Sequence, residues 1–533
     1  MNRRSGMVIL LVFMFCAASF AQKDIKEDPQ TLVADDSIEK PGPMVGYTTH
    51  TKSSIWYYAG KDREVELRYG KMGIESAELI KQRMPPRPEN SYTSLAELSG
   101  LLPATEYQYQ VWVDGAKAGE GTFSTAPIPH QPAVYNYLYA SCISIAVSRI
   151  QEAWDAVLQM DYDFQMFHGD NVYANSTNYD VLWGHHMAQR SIANYAEVLA
   201  HVPTYATWDD HDFGPNNSDG SETGKEESLR LFKDVWANPS YGLPDTPGVF
   251  YTYMWGDVQY FILDNRYHRT KEGTGPENTQ LGAKQRAWLL DGLKKSRAPF
   301  KVILSGGSIQ RGGEKWAEYE VELKTIMNFI RDNKIYGVMF QGGDVHIVYF
   351  KKYDDNAQDE FRDQIRPALL QYETEMGYPV YDIISSGIAK HKKRPWSIVN
   401  VNTKLDDPTM TFRFYEEEKF KEEHVLRLSD LMHDGVKDLL PNSPYDGQQL
   451  VAGSTHSITW RTIGAVDKVD LAYKTGSDWI SIATGLDNSG TYAWTVPNTL
   501  SSEVKIRVRD ANALVVGESM GYFEITGADI HKQ

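Results

Sequence analysis

The sequence predicts a central α/β domain flanked by an N-terminal and a C-terminal β-sandwich domain. Toward both ends, short runs of alternating apolar and polar residues are separated by turn residues, which is typical of half-buried antiparallel strands. Between these regions, strand-like runs alternate with segments whose apolar residues recur at helical spacing, which is typical of an α/β domain. A chain of 533 residues is also too long for one hydrophobic core.

The first 21 residues have the pattern of a secretory signal peptide. Arg3 and Arg4 precede a short apolar stretch, and the small residues Ser19 and Ala21 follow it. We therefore expect cleavage after Ala21 and export to the periplasm or the extracellular medium. No later apolar run is long enough to span a bilayer, so no transmembrane segment is expected.

The three domains are expected at residues 36–127, 133–435 and 443–527. The proline-rich segment 126–132 and the polar segment 438–448 predict the linkers between them. The first domain resembles fibronectin type III-like sandwiches around "LSGLLPATEYQYQVWV", and the third resembles small Ig-like sandwiches. No motif of the third domain carries recognisable chemistry.

Within the central region, individual elements follow from the apolar spacing. Three runs predict helices because their apolar residues recur at helical spacing: "IAVSRIQEAWDAVLQM", "QLGAKQRAWLLDGLKKS" and "YEVELKTIMNFIRDN". Residues 407–428 predict a closing β-hairpin, because two alternating runs flank a short acidic turn.

Charge and cysteine content restrict the partners. Removal of Arg3 and Arg4 with the signal peptide takes the formal net charge from −17 to −19, which argues against nucleic acid bound in a groove. A small phosphorylated substrate stays compatible with the acidic chain, because a bound metal inverts the local field.

Cys142 is the one cysteine of the mature chain and cannot form an internal disulfide. An inert buried thiol, a metal ligand and pairing with another chain stay open. A monomer that acts on a small molecule is expected.

One apolar run after another in the central region ends in polar residues. Ligand sites of α/β sheets form outside the carboxyl ends of the strands. A turn explains any one of these endings, but the set is explained poorly by turns because most of its residues are metal-ligand types. The runs are "YNYLYASC", "DFQMFHGD", "PTYATWDDHD", "VQYFILDNR" and "YGVMFQGGDVH".

Asp170 and Tyr173 lie three residues apart across a bend from strand to loop, so both side chains can reach one centre. A carboxylate can bridge two cations, and a phenolate suits a hard ion such as Fe(III). A turn with a packed tyrosine is the alternative. Gly169 before Asp170 indicates tight packing or an unusual backbone. A thiolate of Cys142 on the same metal would explain a lone exported cysteine.

"WDDHD" places three carboxylates and His211 in four consecutive positions, Asp209 to Asp212, where like charges repel unless a cation lies among them. A solvated acidic loop is the alternative.

In "GGDVH", Asp344 and His346 lie two residues apart, so on an extended chain their side chains share one face, and they are a reasonable ligand pair for iron or zinc.

Arg266 follows another strand-like run and offers a planar fork that fits a phosphate. A surface ion pair is the alternative. Asn171, beside Asp170, is a candidate contact to the substrate.

In this order, and after a strand that ends in "ASC", the motifs "GDNVY", "WDDHD" and "GGDVH" resemble those of the PhoD-like alkaline phosphatases and phosphodiesterases of the metallophosphoesterase superfamily. "GDNVY" is also similar to the G-D-x-x-Y motif of purple acid phosphatases. The resemblance implies an αββα sandwich with a β-sandwich before it. It further implies an exported, metal-dependent hydrolase of phosphate monoesters or diesters that acts through a metal-bound hydroxide.

The resemblance also implies roles for individual residues. Asp170 would bridge two metals, Tyr173 would bind Fe(III), and Cys142 would be a cysteine ligand to iron. Asp210 takes the place of a metal-ligating asparagine, and His211 that of a histidine that contacts the substrate and protonates the leaving group.

The chain departs from the superfamily pattern in ways that affect the second metal. The first motif, D-x-H, is absent and Cys142 stands in its place, while "VILSGGSIQ" lacks a histidine. The second site is then rich in oxygen, which favours Ca²⁺, with Zn²⁺ or Mn²⁺ as alternatives. Whether Asp209, Asp210 or both bind stays open, and Asn217 is a further candidate ligand. The alternative function is a catalytically inactive surface- or glycan-binding protein built on a phosphatase scaffold.

Overall fold

The computed structural model describes residues 41–61, 63–145, 151–272, 275–354, 371–512 and 515–527. The predicted signal peptide and the first residues of the predicted N-terminal domain lie outside this part of the chain. Among the helices that are described, none is both long and apolar enough to cross a membrane.

The N-terminal region folds as two four-stranded sheets, with orders β1-β2-β6-β5 and β4-β3-β7-β8. Val45, Ile55, Leu67, Tyr109 and Val111 belong to the core between the sheets. Leu67, Tyr109 and Val111 alternate with more exposed residues along their strands, whereas the neighbours of Val45 and Ile55 are buried as well. The strands are β1 (Met44–Thr48), β2 (Lys52–Tyr58), β3 (Val65–Lys71), β4 (Ile80–Arg83), β5 (Pro86–Arg87), β6 (Thr93–Ser99), β7 (Glu106–Val113) and β8 (Ala116–Ser124).

The central region contains two six-stranded mixed sheets and eight α-helices in its described residues. The strands are β9 (Val134–Ala140), β10 (Phe164–His168), β11 (Thr204–Thr207), β12 (Tyr251–Trp255), β13 (Val258–Ile262), β14 (Lys301–Leu304), β15 (Val338–Gly342), β16 (Val348–Tyr353), β17 (Val380–Ser385), β18 (Trp396–Asn402), β19 (Thr409–Glu416) and β20 (Lys419–Arg427). The helices are α1 (Ala153–Val157), α2 (Tyr179–Arg190), α3 (Ala193–His201), α4 (Asp210–Phe213), α5 (Lys225–Val235), α6 (Gly282–Lys295), α7 (Glu320–Asp332) and α8 (Tyr372–Met376).

The two central sheets have the orders β11-β10-β9-β18-β19-β20 and β12-β13-β14-β15-β17-β16. They pack face to face, since Tyr137 and Phe164 of one contact Tyr260 of the other with ring centroids 5.7 and 5.6 Å apart. Helices cover the outer faces: Leu182 and Val198 pack on the first sheet, and Leu289 belongs to the core around the second. This αββα arrangement confirms the predicted fold class, and α6, α7 and the β19–β20 hairpin occur where the sequence predicts them. In the run "IAVSRIQEAWDAVLQM" the described helix is only α1, and residues 146–150 of that run lie outside the described residues.

The C-terminal region is a second β-sandwich. Its sheets have the orders β21-β23-β26 and β22-β29-β27-β24-β25, with β28 on β27. The strands are β21 (Asp438–Ser443), β22 (Gln449–Val451), β23 (Thr455–Ile463), β24 (Lys468–Lys474), β25 (Ile480–Asp487), β26 (Thr491–Thr495), β27 (Ser501–Asp510), β28 (Val516–Glu518) and β29 (Phe523–Thr526).

The segment 438–448, expected as a linker, begins with β21, so that expectation is wrong for its first half. Pro441 suggested a connection, but β21 lies at the edge of its sheet, where a residue without an N–H donor is tolerated. Asp438 of β21 accepts a hydrogen bond of 2.5 Å from Arg297 of the central region, which ties the two regions together.

Candidate metal centre

The parallel register of the strands brings the predicted polar residues to one edge of each central sheet. In the first sheet, Phe167 of β10 lies opposite Ala140 of β9 and Ala206 of β11, so the loops that follow these three strands start side by side. In the second sheet, β14, β15 and β17 are likewise parallel. The carboxyl ends of both sheets therefore form the floor of the candidate site.

Two glycines let the loops of the two sheets approach closely. Gly169 has φ of +104°, and a Cβ atom there would lie 2.7 Å from Cβ of Asp209. A Cβ atom on Gly343 would lie 2.7 Å from Oγ of Ser141. No larger residue fits either position without displacement of the loops, which explains the glycine before Asp170.

Five of the candidate ligands have left-handed backbone, one of which is Asn217 with φ of 63°. Cys142, Asp170, Asp344 and His346 have φ of 61°, 51°, 69° and 55°. Each left-handed non-glycine residue costs roughly 1–2 kcal/mol. Such strain persists only where the surrounding structure imposes it, and it concentrates at functional sites.

The first ligand group contains Cys142, Asp170 and His346, whose ligand atoms all lie within 4.8 Å of one another. Tyr173 joins them, because its hydroxyl donates to Oδ2 of Asp170 at 3.0 Å and lies 3.0 Å from Nε2 of His346. Sγ of Cys142 lies 3.5 Å from the same oxygen of Asp170. A thiol, a carboxyl, a phenol and an imidazole thus point to one place.

The second group contains Asp170, Asp210 and His211, again with ligand atoms within 4.8 Å of one another. Asp170 belongs to both groups, with Oδ2 toward Cys142 and Tyr173 and Oδ1 3.4 Å from the backbone N–H of His211. One carboxylate between two clusters of donors is the arrangement that a bridging ligand requires.

Buried like charges dominate the electrostatics of the site. Burial, followed by the Asp210 and Asp209 carboxylates, raises the pKa of Asp170 well above its ordinary value. Burial and the same two carboxylates raise the pKa of Asp344 to about 7. Burial also raises the pKa of Asp210, but Arg266 and His211 outweigh it and leave that pKa below its usual value.

The histidines and the thiol are held in their uncharged forms. Burial, followed by the charge of Lys390, lowers the pKa of His346 to about 4. Burial lowers the pKa of His211, which the Asp210 and Asp209 carboxylates oppose only in part. Burial likewise raises the pKa of Cys142. Neutral imidazoles are the form that binds metals.

Arg266 lies in this region, but its guanidinium is already engaged. Its Nε donates to Asp209 at 2.6 Å, and its two terminal nitrogens donate to both oxygens of Glu314 at 3.1 and 2.9 Å. The side chain is buried, and Nη2 is 4.0 Å from Oδ1 of Asp210. The structure therefore places Arg266 behind the carboxylates rather than as an open fork.

Asp209 is held by this network through one oxygen only. Its Oδ1 accepts from Arg266 and from Nδ2 of Asn265 at 2.9 Å, whereas its buried Oδ2 has no hydrogen-bond partner in the described part of the chain. The buried Oδ1 of Asn171 also lacks one there, while its Nδ2 donates to the carbonyl of Thr207.

Two further residues of the acidic segment have local roles. Asp212 accepts from the backbone N–H groups of Asn171 and Val172 and thus orders the loop after β10. Asn217 has an exposed side chain that accepts from Asn216, and its backbone N–H donates to Asp210 at 2.7 Å. The structure brings the backbone of Asn217, but not its carboxamide, to the second group.

Three contacts at the site were missed by the sequence interpretation. Nζ of Lys390 lies 3.8 Å from the centroid of the Tyr173 ring, Oγ of Ser386 lies 3.1 Å from Sγ of Cys142, and Oδ1 of Asn175 lies 2.6 Å from Nδ1 of His211. The run "KHKKR" shortly after "YDIISSG" was the available signal for Lys390, because so many consecutive basic residues are unusual in an acidic chain.

Comparison with known proteins agrees with the motifs. Residues 183–369 match the model of the PhoD-like phosphatase family. Alkaline phosphatase D of Bacillus subtilis (strain 168) is 23% identical over 318 residues, which cover 49% of this chain and 54% of that protein. The chain thus spans about half the length of this curated relative.

Solved structures show the same fold. The structure of PhoD matches with a TM-score of 0.59 at 16% identity, over 75% of this chain and 95% of that one. A purple acid phosphatase from yellow lupin (Lupinus luteus) seeds matches with a TM-score of 0.50 at 12% identity, over 73% and 74% of the two chains. The chain is thus similar, over part of its length, to the PhoD-like phosphatases, and it shares its fold with PhoD and with the lupin purple acid phosphatase.

Proposed function

We propose that the protein is an exported, metal-dependent phosphoesterase that hydrolyses phosphate monoesters, diesters or both. The observation that carries the proposal is the position of Asp170, whose carboxylate is shared by two groups of potential ligands. The family match supports the reaction class, and the division into an N-terminal sandwich, a catalytic domain at 133–435 and a C-terminal sandwich is part of the same proposal.

The residues at the site fit two cations. Burial, followed by repulsion from the neighbouring carboxylates, raises the pKa values of Asp170 and Asp344, and bound cations would offset both effects. The buried Oδ2 of Asp209 and Oδ1 of Asn171 lack hydrogen-bond partners among the described residues and are available as further donors.

The donor chemistry suggests different ions for the two positions. Cys142, Asp170, Tyr173 and His346 would hold Fe(III), since thiolate and phenolate suit a highly charged ion. The carboxylates of Asp170 and Asp210 in the second group would supply oxygen ligands for Ca²⁺, with Zn²⁺ or Mn²⁺ as alternatives. Asp344 belongs to neither of the two ligand groups of the described residues and would be an additional carboxylate ligand. We retain Asp209 and Asn217 as candidate ligands of this second position.

When bound, such cations would polarise the phosphoryl oxygens and activate a water molecule. Residues of the chain would position the substrate and donate a proton to the leaving oxygen. Nδ1 of His211 is held by Asn175 at 2.6 Å, and the His211 ring packs on Tyr173 with centroids 4.1 Å apart, so Nε2 is left to face the substrate. In its protonated form His211 would donate from Nε2 to the leaving oxygen.

Asn171 and Arg266 have supporting roles in this proposal. Nδ2 of Asn171 is fixed by Thr207, which leaves Oδ1 for the substrate or a cation. Arg266 would contact phosphate only if Glu314 released its guanidinium; in the present geometry it orients Asp209.

The test combines metal analysis with hydrolysis. Purified full-length protein should contain iron and a second cation, should absorb visible light through thiolate or phenolate bound to Fe(III), and should hydrolyse 4-nitrophenyl phosphate or its bis-ester. A Cys142→Ser variant should keep the fold but lose iron or shift the absorption band. Metal-free protein that hydrolyses neither ester but binds polysaccharide would contradict the proposal and favour a binding protein on a phosphatase scaffold.

A further inference from the structure

Lys390 reaches the site from the loop after β17, and its backbone is fixed by the segment that carries Cys142. Ala389 forms a parallel β-bridge with Ile143, and the Ala389 N–H donates to the carbonyl of Cys142 at 3.4 Å. The N–H of Lys390 donates to Gly387 at 3.2 Å, which closes a turn. The position of Lys390 is therefore coupled to that of a candidate metal ligand.

The side chain of Lys390 lies over the ring of Tyr173 at the candidate site. Its Nζ is 3.8 Å from the centroid of the Tyr173 ring, a cation–π contact. The other neighbours of Tyr173 are all site residues: His211 packs on its ring, and Asp170 and His346 lie 3.0 Å from its hydroxyl. A positive charge thus borders the place where both ligand groups meet.

Unlike Arg266, Lys393 and Arg394, Lys390 has no carboxylate partner among the described residues. Arg266 is neutralised by Asp209 and Glu314. In the basic run after β17, Lys393 and Arg394 pair with Glu416 and Glu418. Among the described residues, no carboxylate lies within the 4.0 Å of an ion pair from Nζ of Lys390.

We propose that Lys390 is a substrate-binding residue that donates to a non-bridging phosphoryl oxygen and thereby favours phosphate monoesters over diesters. This inference rests on the proposed phosphoesterase function. A monoester carries close to two negative charges at neutral or higher pH, because its second pKa is near 6, whereas a diester carries one. A cation placed on the phosphoryl group therefore stabilises the bound monoester more strongly.

The discriminating experiment compares both ester types in matched variants. Lys390→Ala should raise KM for 4-nitrophenyl phosphate about 10-fold, as expected for loss of a charge-assisted hydrogen bond, and change KM for bis(4-nitrophenyl) phosphate much less. Lys390→Arg keeps the charge and should restore most of the preference. Lys392→Ala is the matched control, since it removes an exposed lysine of the same segment and should leave both reactions unchanged.

A binding measurement gives a readout that does not depend on turnover. In calorimetric titration of the metal-loaded protein with inorganic phosphate, Lys390→Ala should weaken binding about 10-fold, while Lys392→Ala should not. An unchanged ratio of monoester to diester KM together with unchanged phosphate affinity overturns the inference. Equal loss for both esters with reduced metal content also overturns it, because Lys390 would then be structural.

Failure of the underlying function gives a different result. If the wild-type protein hydrolyses neither ester, the proposed function is wrong, and the phosphate titration alone decides whether Lys390 binds the anion.

Discussion

At the carboxyl ends of the central strands, several buried carboxylates lie together and Cys142, Asp170, Asp344 and His346 have left-handed backbone, whereas the described residues of the C-terminal sandwich contain a single buried carboxylate, Asp510. Ion pairs within the sandwich, such as Arg509 with Asp470, include ones near the surface, and positive φ angles in its described residues occur only at glycines. Both regions contain regular β-structure with a well-buried core. Positive φ angles and buried charges also occur singly elsewhere in the described chain, for example at Ala104 and at Lys301, so the site differs because several of both lie together there.

The strongest test of this contrast is Asp170→Asn, which removes the carboxylate shared by both ligand groups. We expect hydrolysis of monoesters and diesters to fall by at least about 100-fold, the upper range for loss of even an outer partner of a metal site, and metal content to fall with it. Asp487→Asn, at an exposed position of the C-terminal sandwich, is the control and should be neutral. Full activity of Asp170→Asn would remove the basis of the proposed mechanism.

A second test asks whether a core substitution in the C-terminal sandwich lowers only the stability of that sandwich and leaves catalysis at the candidate site unchanged. Leu471 is 1% exposed in the core of that sandwich. Leu471→Ala should cost about 2–5 kcal/mol in the unfolding of the sandwich and leave kcat/KM unchanged at temperatures where it stays folded. Differential scanning calorimetry with activity measured in parallel checks this. A large loss of activity below the unfolding transition would show that the sandwich supports the site.

Within the candidate site, the sequence predicts the residues at the strand ends better than it predicts their contacts with distant residues. Asp170 and Cys142 could be found because parallel strands bring consecutive strand ends together, whatever the loops do. The basic run around Lys390 is visible in the sequence, but the contact of Lys390 with Tyr173 could not be found, because it depends on the bridge between Ala389 and Ile143, which are distant in sequence.

Long-range ion pairs were missed for the same reason. Arg266 was expected as an open fork, but Glu314, 48 positions later, occupies it. The residues around Arg266 in the sequence do not indicate an ion-pair partner that lies 48 positions away. The strand β21 was missed because Pro441 signals a connection locally, and only the sheet order shows that it lies at an edge.

A third prediction uses the pH dependence of stability in metal-free protein. The pKa of Asp170 is raised in the folded state, so the folded state holds its proton more tightly than the unfolded state does. Ionisation therefore disfavours folding, and stability falls as pH rises from the unfolded pKa near 4 through the folded pKa. Asp170→Asn should remove this loss, so that the metal-free variant melts higher than metal-free wild type at pH 8. An equal or lower melting temperature would show that Asp170 is not under electrostatic strain.

The smallest effect is expected for the surface pair of the C-terminal sandwich. Nη2 of Arg509 lies 2.5 Å from Oδ2 of Asp470, but the arginine side chain is 52% exposed, so solvent screens the attraction. We expect a coupling energy of about 0.2–1 kcal/mol that shrinks at high salt. Asp470 also accepts from the backbone N–H of Gly485, so Asp470→Ala alone would overstate the pair. A double-mutant cycle with Arg509→Ala, measured by urea unfolding, isolates the coupling. A value above about 2 kcal/mol would exceed that of ordinary exposed pairs and would mean that strongly stabilising charge pairs also occur outside the candidate site.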